Sequence, residues 1–166
     1  MSRILVTGGA GYIGSHCCKA LAEAGFEPVV YDNLSTGHRS AVRWGRLIEG
    51  DMRDGAALAA AMRQVQPEAV MHFAALSLVG ESAVHPERYY DVNVAGTLRL
   101  LDAMRAASVQ RMVFSSTAAI YGEPDIVPIP ETSPEQPVNT YGATKRACER
   151  MMADFNAAHG IRSVRL

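Results

Sequence analysis

Short apolar runs alternate along this chain with longer stretches whose apolar positions recur every three to four residues. Residues 4–7, 28–32, 47–49, 69–73, 111–115 and 162–166 are too short for helices and are read as six strands. Residues 13–24, 54–65, 86–106 and 140–159 carry helical spacing. In the third of these, Tyr90, Val94, Leu98, Leu101 and Met104 are expected to form one buried stripe. Pro86 suits the opening of that helix, and Asn139 or Thr140 suits the cap of the fourth. Short apolar strands separated by helices specify an α/β fold, a doubly wound parallel sheet covered on both faces.

Two stretches break this rhythm. Residues 116–139 form a long segment holding Pro124, Pro128, Pro130, Pro134 and Pro137, and a connection of that length in a compact domain is usually functional. The sequence also stops inside the sixth strand, without the helix that would flank it. The expectation is that residues 1–166 are the N-terminal portion of a longer domain.

Composition narrows the classes. The net charge of -1, with acids and bases interspersed, argues against nucleic acid as a partner. Cys17, Cys18 and Cys148 show neither metal-ligand spacing nor a disulfide framework, and are read as small buried residues or inert thiols. No apolar run reaches the roughly 20 residues that span a bilayer. A strand begins almost at once, which leaves no room for a signal peptide. A cytoplasmic chain with no membrane partner is expected.

The candidate chemistry begins at Thr7-Gly8-Gly9-Ala10-Gly11-Tyr12-Ile13-Gly14, between the first strand and first helix. The glycines fit both Gly8-x-x-Gly11-x-x-Gly14 and Gly9-x-Gly11-x-x-Gly14. Either spacing supplies a tight turn, close approach of backbone to a pyrophosphate, and close packing of helix on strand. A helix N-terminus there offers free N–H groups and a positive dipole end to phosphates. Asp32 ends the second strand, where an acid hydrogen-bonds the adenosine ribose and repels a 2′-phosphate. That favours NAD over NADP, and the fold is of the Rossmann type. Asp51 ends the third strand and either accepts from the adenine amino group or caps the following helix, a role Asp54 fits better. His72, at the end of the fourth strand, is read as packed and hydrogen-bonded, with Phe73, Ala74 and Ala75 running beside the cofactor.

Tyr141 and Lys145 share a helix face at i and i+4. A free phenol has a pKa near 10, and lowering it by about 3 units requires roughly 4 kcal/mol of preference for the phenolate. One ammonium about 4 Å away, at an effective dielectric near 20, is of that order. Lys145 is therefore expected to turn Tyr141 into a base. Ser115-Ser116-Thr117 leaves the fifth strand where open α/β sheets bind ligands, and Thr117 can meet the substrate oxygen whose proton the tyrosine takes.

With these residues in hand, the chain resembles the extended short-chain dehydrogenase/reductase family and, within it, the UDP-glucose 4-epimerases. The resemblance runs from residue 3 to 166, through TGGAGYIGSH (7–16), YDNLSTGHRS (31–40), GDMRD (50–54), HFAALSLVGES (72–82), YYDVNVAGTLRLLDAMR (89–105), FSSTAAIYG (114–122) and YGATK (141–145). It implies that Tyr12 and Ile13 cover the pyrophosphate, and that Asp32, Asn33, Leu34, Ser35, Thr36 and Gly37 surround the adenosine ribose. Asp51 and Met52 then meet the adenine. Phe73, Ala74, Ala75, Leu76, Ser77, Asn93 and Ser115 line the way to the nicotinamide. Tyr141 becomes the base, Lys145 the ribose-binding partner and Thr117 the contact to the substrate hydroxyl. Ser77 stands where some epimerases carry a lysine near the pyrophosphate, so that charge contact is missing.

The implied activity is interconversion of UDP-glucose and UDP-galactose by transient oxidation at C4, with the 4-keto sugar turning over in the site and NAD returning to its oxidised form. A 4,6-dehydratase would place acids directly after the threonine, where this chain has Ala118-Ala119. An epimerase of another UDP-sugar, such as UDP-arabinose or UDP-N-acetylglucosamine, is the nearer alternative. A non-catalytic NAD-binding fragment is the other, because the family's sugar-nucleotide part is mostly C-terminal to residue 166. The resemblance further implies a homodimer for the full-length form.

Overall fold

The computed structural model describes residues 1–166. All six expected strands form: β1 Arg3–Thr7, β2 Glu27–Asp32, β3 Arg46–Glu49, β4 Ala69–His72, β5 Arg111–Phe114 and β6 Arg162–Arg165. They pair in parallel as one sheet in the order β3-β2-β1-β4-β5-β6. Strand order reverses between β1 and β4, so the connections leaving these strands diverge. A crevice opens at their carboxyl ends.

The helices are α1 Tyr12–Glu23, α2 Gly55–Val65, α3 Val79–Val84, α4 Pro86–Tyr89, α5 Gly96–Ala106 and α6 Thr140–His159, with 3₁₀ turns at Arg39–Ala41 and Ala118–Tyr121. Asp54 caps α2 by accepting from the Ala56 and Ala57 N–H groups. Asn139 caps α6 by accepting from Gly142 N. The sheet packs on both faces. Leu5, Val29, Tyr31, Val70, Met112 and Phe114 meet α2, α5 and α6 in a core of 19 buried residues. Ile4, Val6 and Val30, alternating with them along the strands, join Cys18 of α1 in a cluster of 4. The second cluster is small because β2 and β3 are joined by a loop and one 3₁₀ turn rather than a helix. No helix is long and apolar enough to cross a membrane. Cys18 and Cys148 are buried and Cys17 half-buried, all three as free thiols.

The third expected helix differs from its reading. It runs as α4, a wide π-helical stretch at Tyr90–Ala95, and α5 without a break in the helical backbone. A π turn holds more residues than an α turn, so it moves the buried face by one position. Tyr89, Asn93 and Thr97 are buried, whereas Tyr90 is 48 % exposed and Leu98 only half-buried. Beyond the π stretch Leu101 and Met104 are buried as expected. The short helix α3 was not foreseen.

His72 is buried, as the sequence reading preferred, and bridges three elements. Its Nδ1 lies 2.6 Å from Thr7 Oγ1 and its Nε2 3.0 Å from Thr97 Oγ1. The Thr97 hydroxyl already donates to the Asn93 carbonyl, so it accepts from His72 Nε2–H, and Nδ1 accepts from Thr7. The ring is thus neutral, and burial, aided by the Lys145 charge, pushes its pKa down to about 3. An unfolded histidine titrates near 6.5. The unfolded chain therefore binds the extra proton first, and this site loses stability as pH falls from about 6.5 toward 3. Compared with His72→Gln, the unmodified chain should lose about 2 kcal/mol more between pH 7 and pH 5. Denaturant unfolding at the two pH values measures this, and identical pH dependence in both proteins excludes it.

Candidate functional site

The crevice is a continuous cleft over the carboxyl ends of β1, β2, β4 and β5. Its floor is the glycine turn between β1 and α1. Gly8 adopts φ 73°, and a Cβ there would sit 2.5 Å from Ala74 N; one on Gly14 would sit 2.2 Å from Gly8 O. Both contacts are with backbone, so nothing larger than glycine fits. Gly9 packs toward Val30, which leaves Gly8, Gly11 and Gly14 as the spacing the cleft uses. Gly11 caps α1 without any side-chain bond. The leading N–H groups of that helix, at the cleft wall, therefore remain available to an anion. Tyr12 and Ile13 line the same wall, 82 % and 59 % exposed, far more than large apolar side chains need to be.

Asp32 stands at the end of β2 with its carboxylate accepting from Ala10 N at 3.0 Å and Leu34 N at 2.8 Å. It ties the glycine turn to the loop after β2. Asn33, Ser35, Thr36 and Gly37 of that loop line the cleft. Leu34, expected among them, does not; at φ 58° its contribution is the backbone N–H that fixes Asp32. Asp51 and Met52 lie on the wall. Because Asp54 takes the cap of α2, the capping reading of Asp51 falls away. The Asp51 carboxylate accepts from Arg53 N, Nε and Nη2 and from Asn33 Nδ2, and the Arg53 contacts hold it well below the usual carboxylate range.

Phe73, Ala74, Ala75, Leu76 and Ser77 line the cleft beyond β4. Asn93 does not, and its expected place is corrected. It is 1 % exposed and pins this segment from behind, accepting from Leu76 N at 2.8 Å and donating to Leu76 O at 3.0 Å. The π stretch that shifts the buried face inward is what carries it there.

Ser115 reaches the cleft and links it to α6, because its carbonyl accepts from Lys145 Nζ at 2.8 Å. Lys145 also lies over the Phe114 ring at 4.6 Å, and burial pushes its pKa down to about 8. Neither Lys145 nor Tyr141 forms part of the cleft wall itself. Tyr141 is half-buried, its backbone N–H held by Ser82 Oγ of α3 at 3.2 Å. The expected lowering of the phenol does not occur. Burial pushes it above its ordinary value, against a smaller downward pull from the Thr117 hydroxyl. The Lys145 ammonium is 6.0 Å from the Tyr141 ring centre, and its hydrogen bond goes to the Ser115 carbonyl rather than to the phenol. Thr117 also caps the 3₁₀ turn that follows it, accepting from Ala119 N.

Three wall residues escaped the sequence reading: Tyr31, Gly50 and Val92. Tyr31 donates to the Asp51 carbonyl at 3.0 Å, and a Cβ on Gly50 would meet its hydroxyl at 2.4 Å. Val92 sits on the π stretch, which the spacing of apolar residues does not reveal.

Comparison with known proteins gives a consistent picture. The model of the NAD dependent epimerase/dehydratase family matches residues 4–166. The UDP-glucose 4-epimerase of Rhizobium meliloti is 52% identical over 163 residues, covering 98% of this chain and 50% of that protein. The crystal structure of UDP-glucose 4-epimerase from Brucella ovis in complex with NAD superposes with a TM-score of 0.98 at 52% identity, over 99% of this chain and 51% of that one. A UDP-glucose 4-epimerase from Stenotrophomonas maltophila with bound NAD and formylated UDP-arabinopyranose gives 0.95 at 39% identity, over 99% and 52%. The chain spans about half the length of the curated relatives it matches. Since the family match takes in all six strands, the glycine turn and the Tyr141–Lys145 helix, the chain belongs to the NAD dependent epimerase/dehydratase family.

Proposed function

We propose that this chain holds NAD in the cleft and that, within a polypeptide of its relatives' length, it interconverts UDP-glucose and UDP-galactose through a 4-keto sugar. One observation carries the reading. The glycine turn and the Tyr141–Lys145 pair, remote in sequence, are joined through Ser115, which lines the cleft and receives Lys145. The residues present fit a dinucleotide. The space denied to a Cβ at Gly8 and Gly14 and the uncapped start of α1 suit a pyrophosphate beside Tyr12 and Ile13. Asp32, with Asn33, Ser35, Thr36 and Gly37 around it, suits the adenosine ribose, and Asp51 and Met52 suit the adenine. Residues 1–166 act as the cofactor-binding part, and the groups that grip the uridine diphosphate come mostly from elsewhere in the longer protein. That protein works as a cytoplasmic homodimer with no nucleic-acid partner.

NAD, when bound, supplies the acceptor for the hydride of sugar C4 and a positive charge that favours the phenolate. Tyr141 takes the proton from sugar O4 and later returns it. Thr117 hydrogen-bonds the same oxygen and the phenol, keeping them in line. Lys145 stays charged below a pKa of about 8, donates to Ser115 and holds the end of β5 against α6. The surrounding protein alone leaves the phenol raised, so Tyr141 becomes an effective base only once the cofactor's charge is in place. A pentose nucleotide is the second reading, favoured by the ligand in the Stenotrophomonas maltophila relative. Competition between UDP-glucose and UDP-arabinose in one assay ranks the two.

Titration of the 166-residue chain with NAD and NADP should show tighter binding of NAD, because Asp32 leaves no room for a 2′-phosphate charge. Equal or tighter binding of NADP removes Asp32 from the ribose. In a protein of the relatives' length, Tyr141→Phe should leave NAD affinity nearly unchanged and cut turnover by about 10²- to 10⁴-fold or more. Near-normal turnover assigns the base to another residue. The 166-residue chain alone should not interconvert the two UDP-sugars, since positioning the reacting groups is worth about 7–11 kcal/mol of barrier. Robust epimerisation by this chain shows that it builds more of the sugar site than proposed.

A further inference from the structure

Helix α6 carries Tyr141, Lys145 and Glu149 at four-residue intervals, which puts all three on one face. The segment leaving β5 sets three consecutive residues against that face, one to each. Lys145 Nζ donates to the Ser115 carbonyl at 2.8 Å, Ser116 Oγ donates to Glu149 Oε1, and the Thr117 hydroxyl is near enough to pull the Tyr141 phenol pKa downward. The outer two rungs belong to the chemistry proposed above. The middle rung has no part in it.

Glu149 is 6 % exposed. A carboxylate that deep bears a desolvation cost of several kcal/mol, offset only where good partners meet it. Its second oxygen accepts from Arg165 Nη1 at 3.1 Å, and Arg165 lies on β6 in register with Phe114 of β5. Ser116 N in turn donates to Leu166 O at 2.8 Å. Ser116 is thus fixed by α6 through its side chain and by the end of β6 through its backbone. Such fixing is more than a surface serine needs, and it falls between the two residues that meet Lys145 and Tyr141.

We propose that Glu149 is a positioning residue that sets the register of Ser115, Ser116 and Thr117 against α6 and supplies the anion balancing the buried Lys145 ammonium. Its catalytic meaning rests on the reading of Tyr141, Lys145 and Thr117 given above; its physical content does not. The titratable groups facing Lys145 are Cys148 and Glu149 on its own helix, Tyr141 one turn earlier, and His72 on β4, with the Phe114 ring on β5. Glu149 itself faces Arg165 on β6 and Tyr121 of the 3₁₀ turn. His72 is neutral, and the Cys148 and Tyr141 protons are held more tightly than usual by burial. The Glu149 carboxylate lies one turn beyond Lys145 on the same face of α6 and pairs with Arg165 at 3.1 Å. Burial lowers the Lys145 pKa, and Cys148 and then Glu149 oppose it.

Lys19 and Lys145 are the two lysines of the sequence, so NMR of the 166-residue chain labelled with ε-¹³C lysine reads Lys145 directly. Glu149→Gln keeps the shape and a hydrogen-bonding oxygen but removes the charge. It should move the Lys145 titration midpoint down by about one unit, leaving Lys19 where it was. Arg165→Met removes the cation on the far side of Glu149 and should move the midpoint up. Ser116→Ala should leave the midpoint in place and shift the Tyr141 Cζ signal, because the middle rung is gone. An unmoved Lys145 midpoint in folded Glu149→Gln overturns the charge-balancing role, and an unmoved Tyr141 signal in Ser116→Ala overturns the register role. Where Glu149→Gln does not fold, Arg165→Met decides, and no upward shift is the overturning result. None of these readings needs turnover or NAD. A chain that fails to bind NAD therefore removes the functional proposal and leaves this one standing or falling on its own signals.

Discussion

At Gly8 and Gly14 there is no room for one more carbon atom, and the arrangement of the cleft depends on that closeness. The backbone of the first α1 turn rests on the Gly8 carbonyl, and the chain leaving β4 rests on Gly8 itself at Ala74. The loop after β2 closes the third side, where a Cβ on Gly37 would come within 2.8 Å of the Ala10 carbonyl carbon and His38 N donates to Ala10 O. Three connections thus converge on a few backbone atoms at the point where strand order reverses. A side chain at either glycine would push the start of α1 away from β1 and move its N–H groups off the line of the cleft.

Polar groups then lock what the glycines bring together. Every buried side-chain nitrogen or oxygen has a hydrogen-bond partner. Several of these bonds join elements far apart in sequence: His72 joins β1, β4 and α5, Asn93 joins the β4 exit to α6 through Thr144, and Ser82 holds the start of α6. Apolar packing alone would hold the sheet and helices together, but it is tolerant of small slips. Directional bonds in a medium of low dielectric are not, because a misplaced buried donor loses its partner outright. The polar residues are concentrated near the cleft for that reason, while the larger core beneath α2, α5 and α6 is almost wholly apolar.

Lys145 and Glu149 show the same principle applied to charge. Both are nearly inaccessible, and each is held by the chain leaving β5. A hydrophobic pair of similar volume would serve stability at least as well. Charges retained at such a position are better understood as fixing the geometry and ionisation of their neighbours. The raised phenol of Tyr141 fits this picture: the surrounding protein supplies placement without lowering the phenol's pKa.

The strands, most of the helices, the glycine turn, the acid ending β2, and the caps Asp54 and Asn139 were legible in the sequence, because each rests on a local rule. Strands show as short apolar runs, turns as glycine where a Cβ is forbidden, and caps as Asn or Asp just before a helix. What lay beyond local rules was decided by the tertiary structure. The π stretch moved the buried face from Tyr90 to Tyr89 and drew Asn93 behind the cleft wall, a change set by the partners at Leu76 and Thr144 rather than by apolar spacing. Helix α3 was too short to show a period. Leu34 turned out to act through its backbone, which a sequence does not display. Most of all, the spacing placed Tyr141 and Lys145 on one face but said nothing of where the ammonium would point. Its direction was set by the Ser115 carbonyl and the Phe114 ring, residues about thirty positions away that only the pairing of β5 with its neighbours brings within reach.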